Sequence, residues 1–289
     1  MAVDVRSFLD ADSGTWTHLV SIPGASQAIV IDPVLDYDAA SARIATRSAD
    51  ALLAEIDARG LRLAWVLETH AHADHLSAGD YLRRRSGAQI AIGRGIVEVQ
   101  KHFKTVFGLD DTFPADGSQF DRLLGEGDTL EVGELRVAVL ATPGHTADSL
   151  SYRIGDALFV GDTLFAPDVG TARCDFPGGD AAMLYASIQK LYALPDDTRV
   201  FLCHDYPPAG RVARAELALA EAATTNKQLR RDTPRAEYIA FREARDATLP
   251  MPRLILPALQ INIRAGALPE PDAKGIRYLR LPLQVATPD

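Results

Sequence analysis

Thr69-His70-Ala71-His72-Ala73-Asp74-His75 follows an apolar run, residues 63–67, with only Glu68 between them. Four groups able to ligate a metal fall within the six residues 70–75. Imidazole nitrogen and carboxylate oxygen together bind first-row transition metals. An apolar run ending in such a cluster reads as a β-strand that delivers it to a loop, where chemistry usually sits. The chain has seven histidines and three of them stand here. Three unrelated surface histidines would be the bland account, and the clustering argues against it.

The same arrangement recurs downstream. His145 lies in Thr142-Pro143-Gly144-His145-Thr146, Asp162 in Val160-Gly161-Asp162-Thr163, and His204 directly after the apolar stretch 199–203. Singly, each has an ordinary reading: a histidine after glycine is a loop residue, and an aspartate after glycine is a turn former. Together they differ, because each ends a strand pattern. Loops from adjacent strand ends converge, so the three can share a site with the first cluster.

Outward from these motifs, strand and helix patterns mix. Strands are expected at 15–22 and 27–31, with Pro23-Gly24 turning between them. Helical spacing over 41–59 carries Ala45, Ala49, Leu52, Leu53 and Ile56 to the stop at Gly60. A helix is expected over 75–85, a strand at 88–92, and a helix over 96–106. Residues 109–129 read as an acidic loop. Strands follow at 134–140, 149–154 and 157–160, then a helix capped by Asp180, then the strand 199–203. Helices are expected over 211–223 and 234–245, the latter opened by Thr233-Pro234. Such mixing predicts sheets packed between helices, an α/β or α+β layered fold. We place a catalytic domain at 1–225 and a C-terminal extension, packed on it, at 226–289.

Bulk properties exclude some classes. The net charge of -9 and pI near 5.3 argue against nucleic acid and anionic membrane surfaces as main partners. No run approaches the roughly 18 apolar residues of a membrane span. The first 14 residues are polar and acidic, without the pattern of a secretory leader. Two cysteines, Cys174 and Cys203, imply no disulfide framework, so the expected location is a reducing compartment, the cytoplasm. The apolar segment 254–263 suits either a homodimer contact or the core, and a homodimer is expected. His18 and His102 lie outside every motif.

His-x-His-x-Asp-His, Gly-His, Gly-Asp and a terminal His, in this order, resemble the metallo-β-lactamase superfamily. The resemblance implies an α+β fold, a four-layer αββα sandwich with the metal at one edge between the sheets. In its two-metal form, His70, His72 and His145 would hold one metal, Asp74, His75 and His204 the other, and Asp162 would bridge. Gly170-Thr171-Ala172-Arg173-Cys174-Asp175-Phe176-Pro177-Gly178-Gly179 is similar to the Arg-x-Asp-Phe segment of the persulfide dioxygenase branch. Cys203-His204-Asp205-Tyr206, Arg245-Asp246-Ala247-Thr248-Leu249 and Gln260-Ile261-Asn262-Ile263-Arg264-Ala265-Gly266 agree with it.

That branch implies one Fe(II) per chain on His70, His145 and Asp162. His72, Asp74, His75 and His204 would then support those ligands or hold a second metal. Glutathione persulfide, O2 and water would become glutathione and sulfite, in sulfide detoxification. Arg173, Tyr206 and Cys174 are the expected substrate residues: a guanidinium for an anion, a hydroxyl donor, and a thiol beside an arginine. Cys174 stands where the branch carries a small polar residue. The alternative is a glyoxalase II-like hydroxyacylglutathione hydrolase with a dinuclear metal site.

Overall fold

The computed structural model describes residues 2–283. In chain order the elements are β1 (Asp4–Asp10), β2 (Thr15–Ser21), β3 (Gln27–Ile31), β4 (Val34–Asp38), β5 (Arg43–Ala45), α1 (Arg47–Ala58), β6 (Arg62–Leu67), β7 (Leu76–Ser77), α2 (Gly79–Ser86), β8 (Gln89–Gly93) and α3 (Ile96–Val106). The second half continues with β9 (Arg122–Leu124), β10 (Thr129–Val132), β11 (Leu135–Ala141), β12 (Leu150–Ile154), β13 (Ala157–Phe159), α4 (Ala181–Tyr192), β14 (Arg199–Phe201), β15 (Glu216–Ala218), α5 (Leu219–Thr225), α6 (Arg235–Asp246) and α7 (Ile255–Asn262).

Period-two alternation sorts the strand side chains into layers. In β3, Ala28 and Val30 face one way and Ile29 and Ile31 the other. The first pair packs with Leu52, Leu82 and Ile96 of the helices α1, α2 and α3. The second packs across a sheet-to-sheet core with Val137, Tyr152 and Phe159. On the far side, Leu158 and Val200 pack with Leu184 of α4 and Ala222 of α5. Three cores therefore separate four layers. One six-stranded sheet runs β1-β2-β3-β6-β8-β9, the other β10-β11-β12-β13-β14-β15. This is the αββα sandwich expected.

Several elements depart from the sequence reading. β1 lies within the polar N-terminal stretch and pairs with β2 from Asp4↔Ser21 to Asp10↔Thr15. Its residues are half-exposed or exposed, so no apolar alternation marks it. β4 and β5 form a hairpin where the helix was expected to begin, and the helix starts only at Arg47. Leu76 and Ser77 pair with Leu35 and Val34, delaying the next helix to Gly79. β9 stands in the stretch read as loop, β10 begins at its last residue, and β15 takes the place of part of the helix 211–223.

Helix α7 was not expected, because Pro257 interrupts the pattern. That proline sits in the first turn, where the backbone N–H has no helical partner to lose. Segment 254–263 packs into the core beneath the first sheet, with Ala258, Leu259 and Ile261 buried. Among the described residues no helix is long and apolar enough to cross a membrane.

Candidate metal centre

β6 ends at Leu67, and the chain then leaves the sheet to form the loop carrying His70, His72, Asp74 and His75. Buried groups hold this loop from several sides. The Thr69 backbone N–H donates to Asp32 Oδ1 at 2.7 Å, and Thr69 Oγ1 donates to Asp32 Oδ2 at 2.9 Å. Ala71 N donates to Asp148 Oδ2 at 2.8 Å. Asn262 Nδ2 donates to the carbonyls of His72 and His75, both at 2.8 Å, while its Oδ1 accepts from Ser77 N at 2.8 Å.

The glycines before His145 and Asp162 have their own physical cause. Gly144 has φ 137° and Gly161 φ 52°, a region L side chains avoid. A Cβ on Gly144 would lie 2.3 Å from Leu184 N, and one on Gly161 would lie 2.6 Å from Thr69 Oγ1. Close backbone approach thus brings both following side chains to the site.

Hydrogen bonds fix which ring atom each histidine presents. The Thr69 hydroxyl gives its proton to Asp32, so it accepts from His70 Nδ1–H at 3.1 Å and leaves Nε2 as the lone pair. His72 donates through Nε2 to Asp32 Oδ1 at 3.0 Å, leaving Nδ1 free. His145 Nδ1 donates to the Arg173 carbonyl at 2.7 Å, and His204 Nδ1 to the Gly14 carbonyl at 3.3 Å. His75 Nδ1 meets Thr15 Oγ1 at 3.2 Å.

His70 Nε2, His72 Nδ1, His75 Nε2, His204 Nε2, Asp74 Oδ2 and Asp162 Oδ1 are all buried without a hydrogen-bond partner among the described residues. One such group costs roughly 1–3 kcal/mol, and here six gather. A cation is what such a donor set fits, and the region is a metal-binding site. Burial pushes His70 and His72 well below the usual imidazole range, helped by neighbouring histidines, so both are neutral, the form a metal needs. Burial would raise Asp74, but His204 and His75 outweigh it and hold the carboxylate ionised.

Two groups stand out. His70, His145 and Asp162 bring ligand atoms within 4.8 Å of one another; so do His72, Asp74, His75 and His204. His72 lies between the two groups: it clusters with Asp74, His75 and His204, its ring centroid is 4.0 Å from that of His70, and Asp32 fixes its ring. A cluster of Asp32, His72 and Cys203 is accounted for by hydrogen bonds: the Cys203 thiol donates to Asp32 Oδ2 at 3.6 Å.

The site opens into a cleft of about 280 Å³ lined by Asp74, His145, Asp162, Phe176, Tyr206 and Arg245, among others. Tyr206 stacks on His204, with ring centroids 5.5 Å apart, and is half exposed. Arg173 differs from expectation. Its Nε and Nη2 fork onto Asp175 at 2.6 Å each, and Nη1 donates to the Pro250 carbonyl at 2.7 Å. The guanidinium is occupied by its own chain. Cys174 is not among the residues lining the cleft, and burial pushes its thiol up to about 12. Its backbone N–H donates to Asp246 Oδ2 at 2.8 Å, and Asp246 Oδ1 pairs with buried Arg242 at 2.5 Å.

Sequence reasoning overlooked Asp32, Asp148 and Arg242. None stands in a run of ligands, and Asp32 precedes Pro33, which reads as a turn. Asp246 and Asn262 lay in the motifs that carry the resemblance but had no role assigned there.

A family model described as the metallo-beta-lactamase superfamily matches residues 11–204. A probable metallo-hydrolase of Burkholderia pseudomallei is 48% identical, over 96% of this chain and 98% of its own length. A beta-lactamase hydrolase-like protein of Agrobacterium fabrum is also 48% identical over 97% of this chain, which spans only 65% of that longer relative. The mitochondrial persulfide dioxygenase ETHE1 of Mus musculus is 30% identical, covering 92% of this chain and 90% of that one. Among solved structures, ETHE1 from Myxococcus xanthus superposes with a TM-score of 0.73 at 33% identity, covering 91% of this chain and all of that one. With its sandwich fold and its converging histidines and aspartates, the chain belongs to the metallo-beta-lactamase superfamily.

Proposed function

We propose that this protein is a persulfide dioxygenase with one Fe(II) per chain on His70, His145 and Asp162, acting in the cytoplasm. Glutathione persulfide, O2 and water would yield glutathione and sulfite, both oxygen atoms of O2 going to the outer sulfur. The observation that carries this reading is the compact triad of two imidazoles and one carboxylate facing an open cleft. Three protein ligands leave positions for substrate and oxygen, the pattern of non-haem iron oxygenases. The likeness to ETHE1 proteins supports it. What iron supplies when bound is a redox-active centre that lifts the spin restriction on thiolate and O2, which d10 zinc does not.

The chain's own groups do the rest. The Arg173 carbonyl locks His145 with Nε2 toward the site. Phe176 packs edge-on against His145, with centroids 5.1 Å apart. Tyr206 offers its hydroxyl to substrate at the rim. Arg173 is tied to Asp175, so its contribution is to fix the loop. The cleft cation with no partner among the described residues is Arg245, on α6, and it is the group to meet a substrate carboxylate.

A second reading has its own observation. His72, Asp74, His75 and His204 offer a second set of unpaired ligand atoms, which would make a dinuclear hydrolase of hydroxyacylglutathione, with a metal-activated water as nucleophile. Metal analysis paired with oxygen uptake separates the two. About one iron per chain, with O2 consumed and sulfite released from glutathione persulfide, is the expected result. Two zincs, thioester cleavage and no oxygen uptake would replace it with the hydrolase.

A further inference from the structure

A second concavity lies away from the metal centre. A cleft of about 620 Å³ lies between the loop after α3, the end of α7 and the segment 267–280, and it shares no lining residue with the metal-site cleft. Arg264 forms part of its wall. The guanidinium carbon sits 4.4 Å from the centroid of the Phe113 ring, so stacking fixes its plane. Stacking leaves the N–H edges free, and Arg264 Nε is buried with no hydrogen-bond partner among the described residues. Arg280 lines the same cleft and spends one nitrogen on the carbonyls of Phe107, at 3.2 Å, and Gly108. Neither arginine has a carboxylate partner among the described residues. Burial first, and then the nearby Arg280, push Arg264 below the usual guanidinium range, against a smaller opposing pull from Glu270 and Asp110.

The other charges lining the cleft are mostly engaged. Arg83 donates to Asp80 at 2.9 Å. Asp110 accepts from Thr112 N at 2.9 Å and Thr112 Oγ1 at 2.5 Å, and Asp272 accepts from Lys274 N and Ile276 N at 2.9 Å each. Glu270 has no hydrogen bond among the described residues and is exposed. A partly buried guanidinium without an acceptor is costly, and a fork of N–H donors matches the oxygens of carboxylate, phosphate or sulfate. We propose that this cleft binds a small molecule through an oxyanion group held between Arg264 and Arg280, as a ligand site separate from the metal centre.

Calorimetric titration of the metal-loaded full chain with inorganic phosphate, sulfate and citrate, at ionic strength held constant with chloride, tests this. Saturable binding of one anion per chain by at least one of the three is expected. A preference for phosphate or sulfate over citrate identifies a tetrahedral oxyanion, and the reverse a carboxylate. Arg264→Gln and Arg280→Gln should each weaken that binding by about tenfold or more, the usual size of a lost charge-assisted hydrogen bond. Glu270→Gln should leave it equal or tighter. Thermal melts check that the variants fold; if Arg264→Gln does not, Arg280→Gln, on the exposed segment, carries the test. No saturable binding by any probe, or binding unchanged in the arginine variants that fold, overturns the proposal.

Discussion

Asp32 receives four donors: the Thr69 backbone, the Thr69 hydroxyl, the His72 ring and the Cys203 thiol. Its backbone lies at φ 50°, a strained region for a non-glycine residue, and the side chain is buried. One carboxylate thereby sets the tautomers of two neighbouring histidines. The ligands themselves were legible because metal binding concentrates residue types that chance scatters. Asp32 was not, since a lone buried carboxylate leaves no pattern. Asp32→Asn keeps the shape and loses the charge, and an amide can donate where only acceptance is useful. Metal affinity should fall about 10–100-fold, read by competition with a chelator; unchanged affinity would show that the His72 ring is set elsewhere. His18, outside every motif, is buried with Nε2 donating to the Leu202 carbonyl at 3.0 Å. Burial drives it down to about 4, against the pull of that carbonyl and Asp32. Between about pH 6.5 and 4 the unfolded chain binds a proton that the native chain refuses. Stability is therefore intact above that window and declines through it as pH falls, by of order 3 kcal/mol. His18→Gln should flatten the denaturant midpoint against pH in that window, and an unaltered slope would assign the loss to other groups.

Elements were legible in proportion to how deeply they are buried. Strands β3, β6 and β13 lie between layers and carry apolar side chains on both faces, so they announce themselves. Edge and hairpin strands such as β1, β5 and β9 expose much of their length and carry no such pattern. Helix α7 shows the opposite difficulty: it is apolar nearly all round, which hides helical periodicity, and it carries a proline. Its last residue, Asn262, closes two backbone hydrogen bonds to the metal loop and a third to Ser77 of β7 just beyond it. Asn262→Ala would leave two carbonyls and one N–H without these partners. Partial replacement by water still leaves a loss of about 2–4 kcal/mol. The readouts are a lower denaturant midpoint and a lower metal content at fixed chelator. A variant that kept its metal and its midpoint would show that the loop holds its own shape.

At the scale of the whole molecule, the boundary at 225 crosses the packing. Helix α6 lies against α4 and gives Tyr238 to the core under the second sheet. Helix α7 gives Ile255, Ala258, Leu259 and Ile261 to the core under the first. The segment from 226 onward thus completes both outer layers and also supplies Asp246 and Asn262, which tie the Cys174 segment and the metal loop. A buried Leu, Ile or similar side chain contributes roughly 1.5–3 kcal/mol, so removing this segment forfeits about 10 kcal/mol or more. Whole domains have about 5–15 kcal/mol in hand. A chain ending at 225 should therefore show no cooperative melt by circular dichroism and retain no stoichiometric metal, although it keeps every histidine and aspartate of the site. A truncated chain with a cooperative melt and bound metal would make the extension a separable module. The expectation rests on where the support comes from: ligands confined to residues 70–204 are held in place by side chains more than forty positions beyond the last of them.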